Sequence, residues 1–115
     1  MDEVDQLAMI FKALSDPTRL RLLKLLNQNA TTAPHPHQHH ESCNGGQFLC
    51  VNAMAHHLGV TQSAVSQHLR ILKQAGLVNG ERHGHFMHYS LDRAGLQQYG
   101  EVLQETLGVS FAIEG

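Results

Sequence analysis

His35, His37, His39, His40 and Cys43 fall within nine consecutive positions, and Cys50 follows seven residues later. Imidazole and thiolate together form a donor set that suits Zn(II) first, with Ni(II), Co(II) or copper also accommodated. Four ligands drawn from these six residues can close a tetrahedral site. Cys43 and Cys50 with two of the four histidines are the expected set. The two cysteines also support a different chemistry. If their Cα atoms approach to about 5.5 Å, a Cys43–Cys50 disulfide ties the segment down by oxidation instead. The imidazoles weigh toward metal, since a dithiol switch has no use for four of them.

Across the whole chain, ten His stand against only eight Lys plus Arg. An ordinary imidazole titrates near ~6.5 and is mostly neutral at pH 7, which is the metal-binding form.

Enzymatic readings of the same residues fail on size. The run from His35 to His40 has a superficial likeness to the H-x-H-x-D-H of metallo-hydrolases, but those enzymes need further ligands on a much larger fold. No Cys–His pair here has an orienting third group or an oxyanion site. The chain's 115 residues and 12.7 kDa make one domain with no room for a second core. At 42% hydrophobic and 16% charged it is ordinary for a soluble globular domain. No apolar run approaches the roughly 18 residues of a membrane span. The start, Met1-Asp2-Glu3-Val4-Asp5, is acidic where a signal peptide is basic. A cytoplasmic protein with no membrane partner and no enzymatic activity is expected.

The elements that hold this segment are legible from periodicity. Val4, Leu7, Ala8, Phe11 and Leu14 recur at helical spacing. Asp16 caps a second helix with Pro17 at its first position. From Thr18 to Leu26 that helix is apolar nearly all round and is expected to be buried. The pattern breaks from Asn27 to Gln47, a long stretch with two Pro, two Gly and the histidine run. Long loops of this kind are usually functional. We therefore treat the chain as a single domain, 1–115, with an insertion at about 28–47. Order returns at Phe48-Leu49-Cys50-Val51. Asn52 is the expected cap of a short helix, Ala53 to Leu58, ended by Gly59. Thr61 caps the next, which runs to about Ala75 with Gly76 as its stop. Strands are expected at about Leu77–Arg82 and Phe86–Leu91 around His83-Gly84-His85, with Asn79-Gly80 as a competing turn. Asp92 caps a last helix to about Leu107.

Short helix, glycine turn, long helix is the form of a helix-turn-helix unit. In the long helix Val65, Leu69 and Leu72 make the apolar stripe, leaving Gln62, Ser63, Ser66, Gln67, Arg70 and Lys73 outward. Gln62 and Gln67 can read adenine, Ser63 and Ser66 can contact bases or phosphate, and Arg70 can pair with guanine or phosphate. Thr61 and His68 complete the DNA-facing set on this helix. The hairpin that follows has the position of a wing, where Arg82, His83, His85 and His88 supply donors for backbone or minor groove.

Charge is distributed accordingly. Arg70, Lys73, Arg82 and Arg93 outweigh Glu81 and Asp92 to leave residues 53–93 at +2, while residues 1–52 sum to −1 and 94–115 to −3. Four well-placed basic side chains are few for one monomer, and a two-fold dimer doubles them.

Three stretches carry a family resemblance: FKALSDPTRLRLLKLL, then LCVNAMAHHLGVTQSAVSQHLRILKQAGLV, then RHGHFMHYSLD. They resemble the ArsR/SmtB family of metal-responsive transcriptional repressors, over residues 4–27 and 48–107. The resemblance implies a winged helix-turn-helix homodimer, mainly α with a small β-hairpin, five helices plus the wing. It implies binding to double-stranded operator DNA, repression relieved by an inducer, and a dimer interface built from the first and last helices. Val4, Leu7, Phe11, Leu96, Tyr99 and Leu103 are the candidates for that interface.

Two metal sites known in the family are not reproduced. An Asp-x-His with a later His pair in the last helix is absent, since no His follows His88. In the motif Leu-Cys-Val-Cys-Asp the second Cys is replaced by Asn52, which leaves too few thiolates for arsenite. The insertion is therefore the expected inducer site.

Overall fold

In the computed structural model, which describes residues 2–31 and 49–111, helix α1 runs Glu3–Leu14. Asp2 caps it, its carboxylate accepting from the Asp5 N–H at 2.9 Å. Leu7, Ile10 and Ala13, three apart, form its buried face. Asp16 turns the chain into α2, Pro17–Thr31.

Helix α2 continues past Leu26, where the apolar pattern ends and a loop was expected. Propagating an existing helix needs no further apolar residue, and Arg93 Nη2 donates to Asn27 Oδ1 at 3.2 Å to steady the extension. The expected all-round burial holds only in part. Leu22 and Leu26 are fully enclosed, but Leu20 is about half exposed, because neighbouring elements cover only one side of the ring of leucines.

After the insertion a two-residue strand, β1 (Leu49–Cys50), leads directly into α3 (Val51–Leu58). This corrects the expected start. Cys50 already has the extended backbone of an N-cap residue, so Asn52 lies inside the helix rather than before it. Gly59 ends α3 in the left-handed conformation at φ 68°, a geometry that costs little only for glycine.

Thr61 caps α4 (Gln62–Gln74), its hydroxyl accepting from the Ala64 N–H at 3.1 Å. Strands β2 (Val78–His83) and β3 (Phe86–Leu91) form the hairpin. Asn79 and Gly80 pair with Ser90 and Tyr89 inside the ladder, so the turn is at Gly84-His85. The sheet is antiparallel in the order β1-β3-β2, with Leu49 opposite Tyr89 and Cys50 opposite His88. Asp92 caps α5 (Arg93–Leu107) as expected.

The core gathers Leu22, Leu26, Met54, Val65, Leu69, Leu72 and Leu77, all without exposure. It thus joins α2, α3 and α4 at the base of the wing and fixes the one helix whose outer face is polar. Five helices and a winged hairpin match the expected architecture. Among the described residues no helix is long and apolar enough to cross a membrane.

Candidate nucleic-acid interface

Val65, Leu69 and Leu72, at i, i+4 and i+7, seat α4 on the core with no exposure at all. Period then dictates the opposite face. Thr61, Gln62, Ser63, Ser66, Gln67, Arg70 and Lys73 are all exposed. The hairpin leaves the same helix after a three-residue corner, and its Arg82, His83 and His85 are exposed as well.

These residues are not equally available. His83 lies on His88, with ring centroids 4.5 Å apart and planes 17° off parallel, and its Nε2 is 3.6 Å from Glu81 Oε1. His88 itself is buried, which leaves Arg82, His83 and His85 as the exposed donors of the hairpin. At the start of α4, Gln62 Nε2 donates to Asn52 Oδ1 on α3. The amide expected to read adenine thus also braces the two helices of the unit.

His68, expected to face DNA, is half-buried, and its Nδ1 is 3.3 Å from Arg19 Nη1. Arg19 sits in the first turn of α2, where Asp16 Oδ1 accepts from the N–H groups of Thr18 at 2.8 Å and Arg19 at 3.1 Å. The Arg19 N–H above all holds the Asp16 carboxyl below the usual carboxylate range.

The metal candidates divide in two. Cys43, His35, His37, His39 and His40 lie outside the described residues. Cys50 is 1% exposed and disulfide-bonded. Among the described residues no group of three or more His, Cys, Asp or Glu is arranged to hold a metal ion.

The candidates for a dimer interface divide as well. Helices α1 and α5 pack together. Leu7 is buried within the protomer, and Leu96 and Tyr99 pack on its core, while Leu103 is partly covered. The apolar surface left open on these helices is Val4 and Phe11 on α1 with Leu107 on α5, continued by Val109 and Phe111.

Sequence reasoning missed Arg19 and Asn52 as parts of this site. Arg19 had a signal. A cation in the first turn of a helix opposes the helix dipole, so it calls for a specific partner elsewhere. Asn52 had none, since its partner is set only by the packing of α3 on α4.

Residues 44–80 match the arsR family of bacterial regulatory proteins. The chain is 37% identical over 110 residues to the transcriptional repressor SmtB homolog of Synechocystis sp., which spans 92% of this chain and 70% of the relative. It is 33% identical over 87 residues to a Streptomyces lividans protein named for repression of a mercury resistance operon, covering 76% of this chain and 55% of that protein. Among solved structures it is similar to a homodimeric winged helix-turn-helix DNA-binding domain from Mycobacterium bovis. That match has 26% identity and a TM-score of 0.63, and covers 90% of this chain and 80% of the other.

Proposed function

The chain belongs to the arsR family of bacterial regulatory proteins, and on that premise we propose that it is a homodimeric repressor released from operator DNA when a transition metal binds at its His/Cys insertion and Cys50. The observation that carries this reading is the exposed Ser63, Ser66, Gln67 and Arg70 face of α4 standing beside an exposed wing. In that arrangement α4 enters the major groove, Gln67 reads adenine, Arg70 takes guanine or a phosphate, and the serines hold the backbone. Arg82 and His85 follow the adjacent backbone or minor groove. Two protomers joined through α1 and α5 present two such faces, as two-fold operators require.

The inducer half of the reading rests on donor chemistry and position. Cys43, Cys50 and two of His35, His37, His39 and His40 are the proposed ligands, with Zn(II) the first choice and Ni(II), Co(II) or copper next. Bound metal would supply a cross-link between the insertion and the start of α3. Cys50 is the last residue of β1, two positions before Asn52, whose side chain holds Gln62 at the head of α4. A pull at Cys50 therefore acts close to the brace that orients the reading helix.

Metal binding needs Cys50 as a thiolate. The same two sulfurs carry the second reading, in which oxidation of Cys43 and Cys50 is itself the signal. The two readings use the same sulfur and exclude one another at any instant.

One titration separates them. Reduced, metal-free protein on promoter DNA receives Zn(II), Ni(II), Co(II) and Cu(I) in turn, in parallel with Cys43→Ser/Cys50→Ser. Release by a metal in the wild type alone supports the metal reading. No response to any metal, with release by a mild oxidant, transfers the function to the thiols.

A further inference from the structure

Arg19 is placed by its own helix start. The Asp16 carboxylate holds the first-turn N–H groups, and the Arg19 side chain then turns back toward the end of α1. There its Nε donates to the Ala13 carbonyl at 2.6 Å and its Nη2 to the Lys12 carbonyl at 3.4 Å. Both are carbonyls of the last turn of α1, and the Lys12 oxygen also accepts from the Ser15 N–H and hydroxyl. A third nitrogen, Nη1, meets His68 Nδ1 at 3.3 Å on the recognition helix. One guanidinium thus spans the α1 terminus, the start of α2 and the middle of α4.

The contact has a chemical consequence. A guanidinium stays protonated and carries only donors, so in this hydrogen bond His68 Nδ1 is the acceptor. The ring is then neutral, and its single proton sits on Nε2. The bond thereby sets the tautomer of the neutral His68 ring. It also ties α4 to α1, the helix that carries exposed Val4 and Phe11.

We propose that Arg19 is a positioning residue for DNA recognition: by donating to His68 Nδ1 it holds His68 as the Nε2–H tautomer and anchors α4 to the α1–α2 corner. This rests on the DNA-binding reading above, because it concerns the seat of the helix that reading assigns to the major groove. Arg19 need not touch DNA at all.

The test combines a spectroscopic and a binding readout on the full chain. Long-range proton–nitrogen spectra at neutral pH, with the His68 signals identified by their loss in His68→Gln, report which ring nitrogen bears the proton. The expected pattern is an unprotonated Nδ1 and a protonated Nε2, relaxing to a mixture in Arg19→Ala. On operator DNA, Arg19→Ala and His68→Ala should each lose affinity by roughly tenfold, and the double variant little more than either. Gln keeps both an acceptor and a donor on its amide, so His68→Gln should stay within about threefold of wild type.

Circular dichroism confirms that each variant is folded. Should Arg19→Ala fail that check, the cycle is run with Arg19→Lys, which keeps a donor but cannot span three acceptors and is expected to fall between wild type and Ala. A His68 tautomer unchanged by loss of the guanidinium, or additive losses in the cycle, overturns the inference while DNA binding by the wild type stands. A wild-type chain with no affinity for duplex DNA overturns both readings, and this is seen before any variant is made.

Discussion

Gly95, in the first turn of α5, lies so close to the carbonyl oxygen of Gly76 that a Cβ on it would overlap that atom. One turn further on, Tyr99 reaches the same corner, its hydroxyl oxygen 2.9 Å from where a Cβ on Gly76 would be. The last helix is therefore keyed to the bend between α4 and β2. The element proposed to join two protomers and the element proposed to read DNA share one tight contact.

Replacing Gly95 by Ala tests how tight it is. Alanine improves helix propensity by up to ~1 kcal/mol, whereas forcing a methyl against a backbone oxygen costs roughly 1–3 kcal/mol, because a carbonyl cannot rotate aside. The steric effect should win. Gly95→Ala is expected to lower the urea midpoint without changing the slope. A raised midpoint would mean that α5 can slide off the corner freely.

Asp16 predicts an acid-sensitive limb of the stability curve. Its folded carboxyl titrates below the ordinary value of 3.8, chiefly because the Arg19 N–H donates to it. A lowered folded value stabilises the fold in full above the unfolded value and is lost as the pH falls through the folded one. Asp16→Asn keeps an oxygen cap but has no charge to lose, so its urea midpoint should fall less steeply than wild type below about pH 4. Parallel curves would show that the carboxylate's charge contributes nothing there.

Why some of this was legible in the chain and some was not follows from the range of the interactions. Thr61, Asp16 and Asp92 cap helices through bonds two or three residues away, so type and spacing disclosed them. The exposed face of α4 followed from the period of Val65, Leu69 and Leu72. By contrast β1 is two residues long and exists only through pairing with β3. Asn52 had the form of a cap, but its oxygen is taken by Gln62, ten residues on. The tie from Arg19 to His68 spans 49 positions. Leu7 is already buried within the protomer, a covering that its helical period alone does not disclose. Local chemistry could be read from neighbours; tertiary partners could not.

Base readout and phosphate attraction should separate by salt. Arg70 belongs to the exposed α4 face, so Arg70→Ala is expected to cost roughly 1–3 kcal/mol of operator affinity and to relax preference at one base position. Arg82 is on the hairpin, and Arg82→Ala should weaken all duplexes alike and lower the salt slope by about one. Fluorescence anisotropy at several salt concentrations measures both. Equal behaviour of the two variants would return Arg70 to the phosphate backbone.

Deleting residues 34–43 removes the histidine run and Cys43 while leaving every core residue in place. The deletion should melt within a few degrees of wild type and bind operator DNA with unchanged affinity, yet respond to no metal and no oxidant. Operator release by metal from this variant would move the inducer site elsewhere in the chain.

Phe11 decides whether two copies are needed. It is 48% exposed on α1, in a region where Val4 and Leu107 are also open to solvent. Phe11→Glu puts a charge on that apolar surface without disturbing Leu7, Ile10 or Ala13 beneath it. If α1 and α5 join protomers, burying an unpaired carboxylate between them is strongly unfavourable, and sedimentation should show a monomer with helical content intact. Operator affinity should then fall by roughly 10²–10⁴-fold, because the second half-site is no longer held at high effective concentration by the first. Arg70 and Arg82 remain in place in this variant, so residual weak binding to any duplex is expected. A dimer that persists with full affinity would place the two-fold contact on another surface and leave Val4, Phe11 and Leu107 without a partner in the repressor.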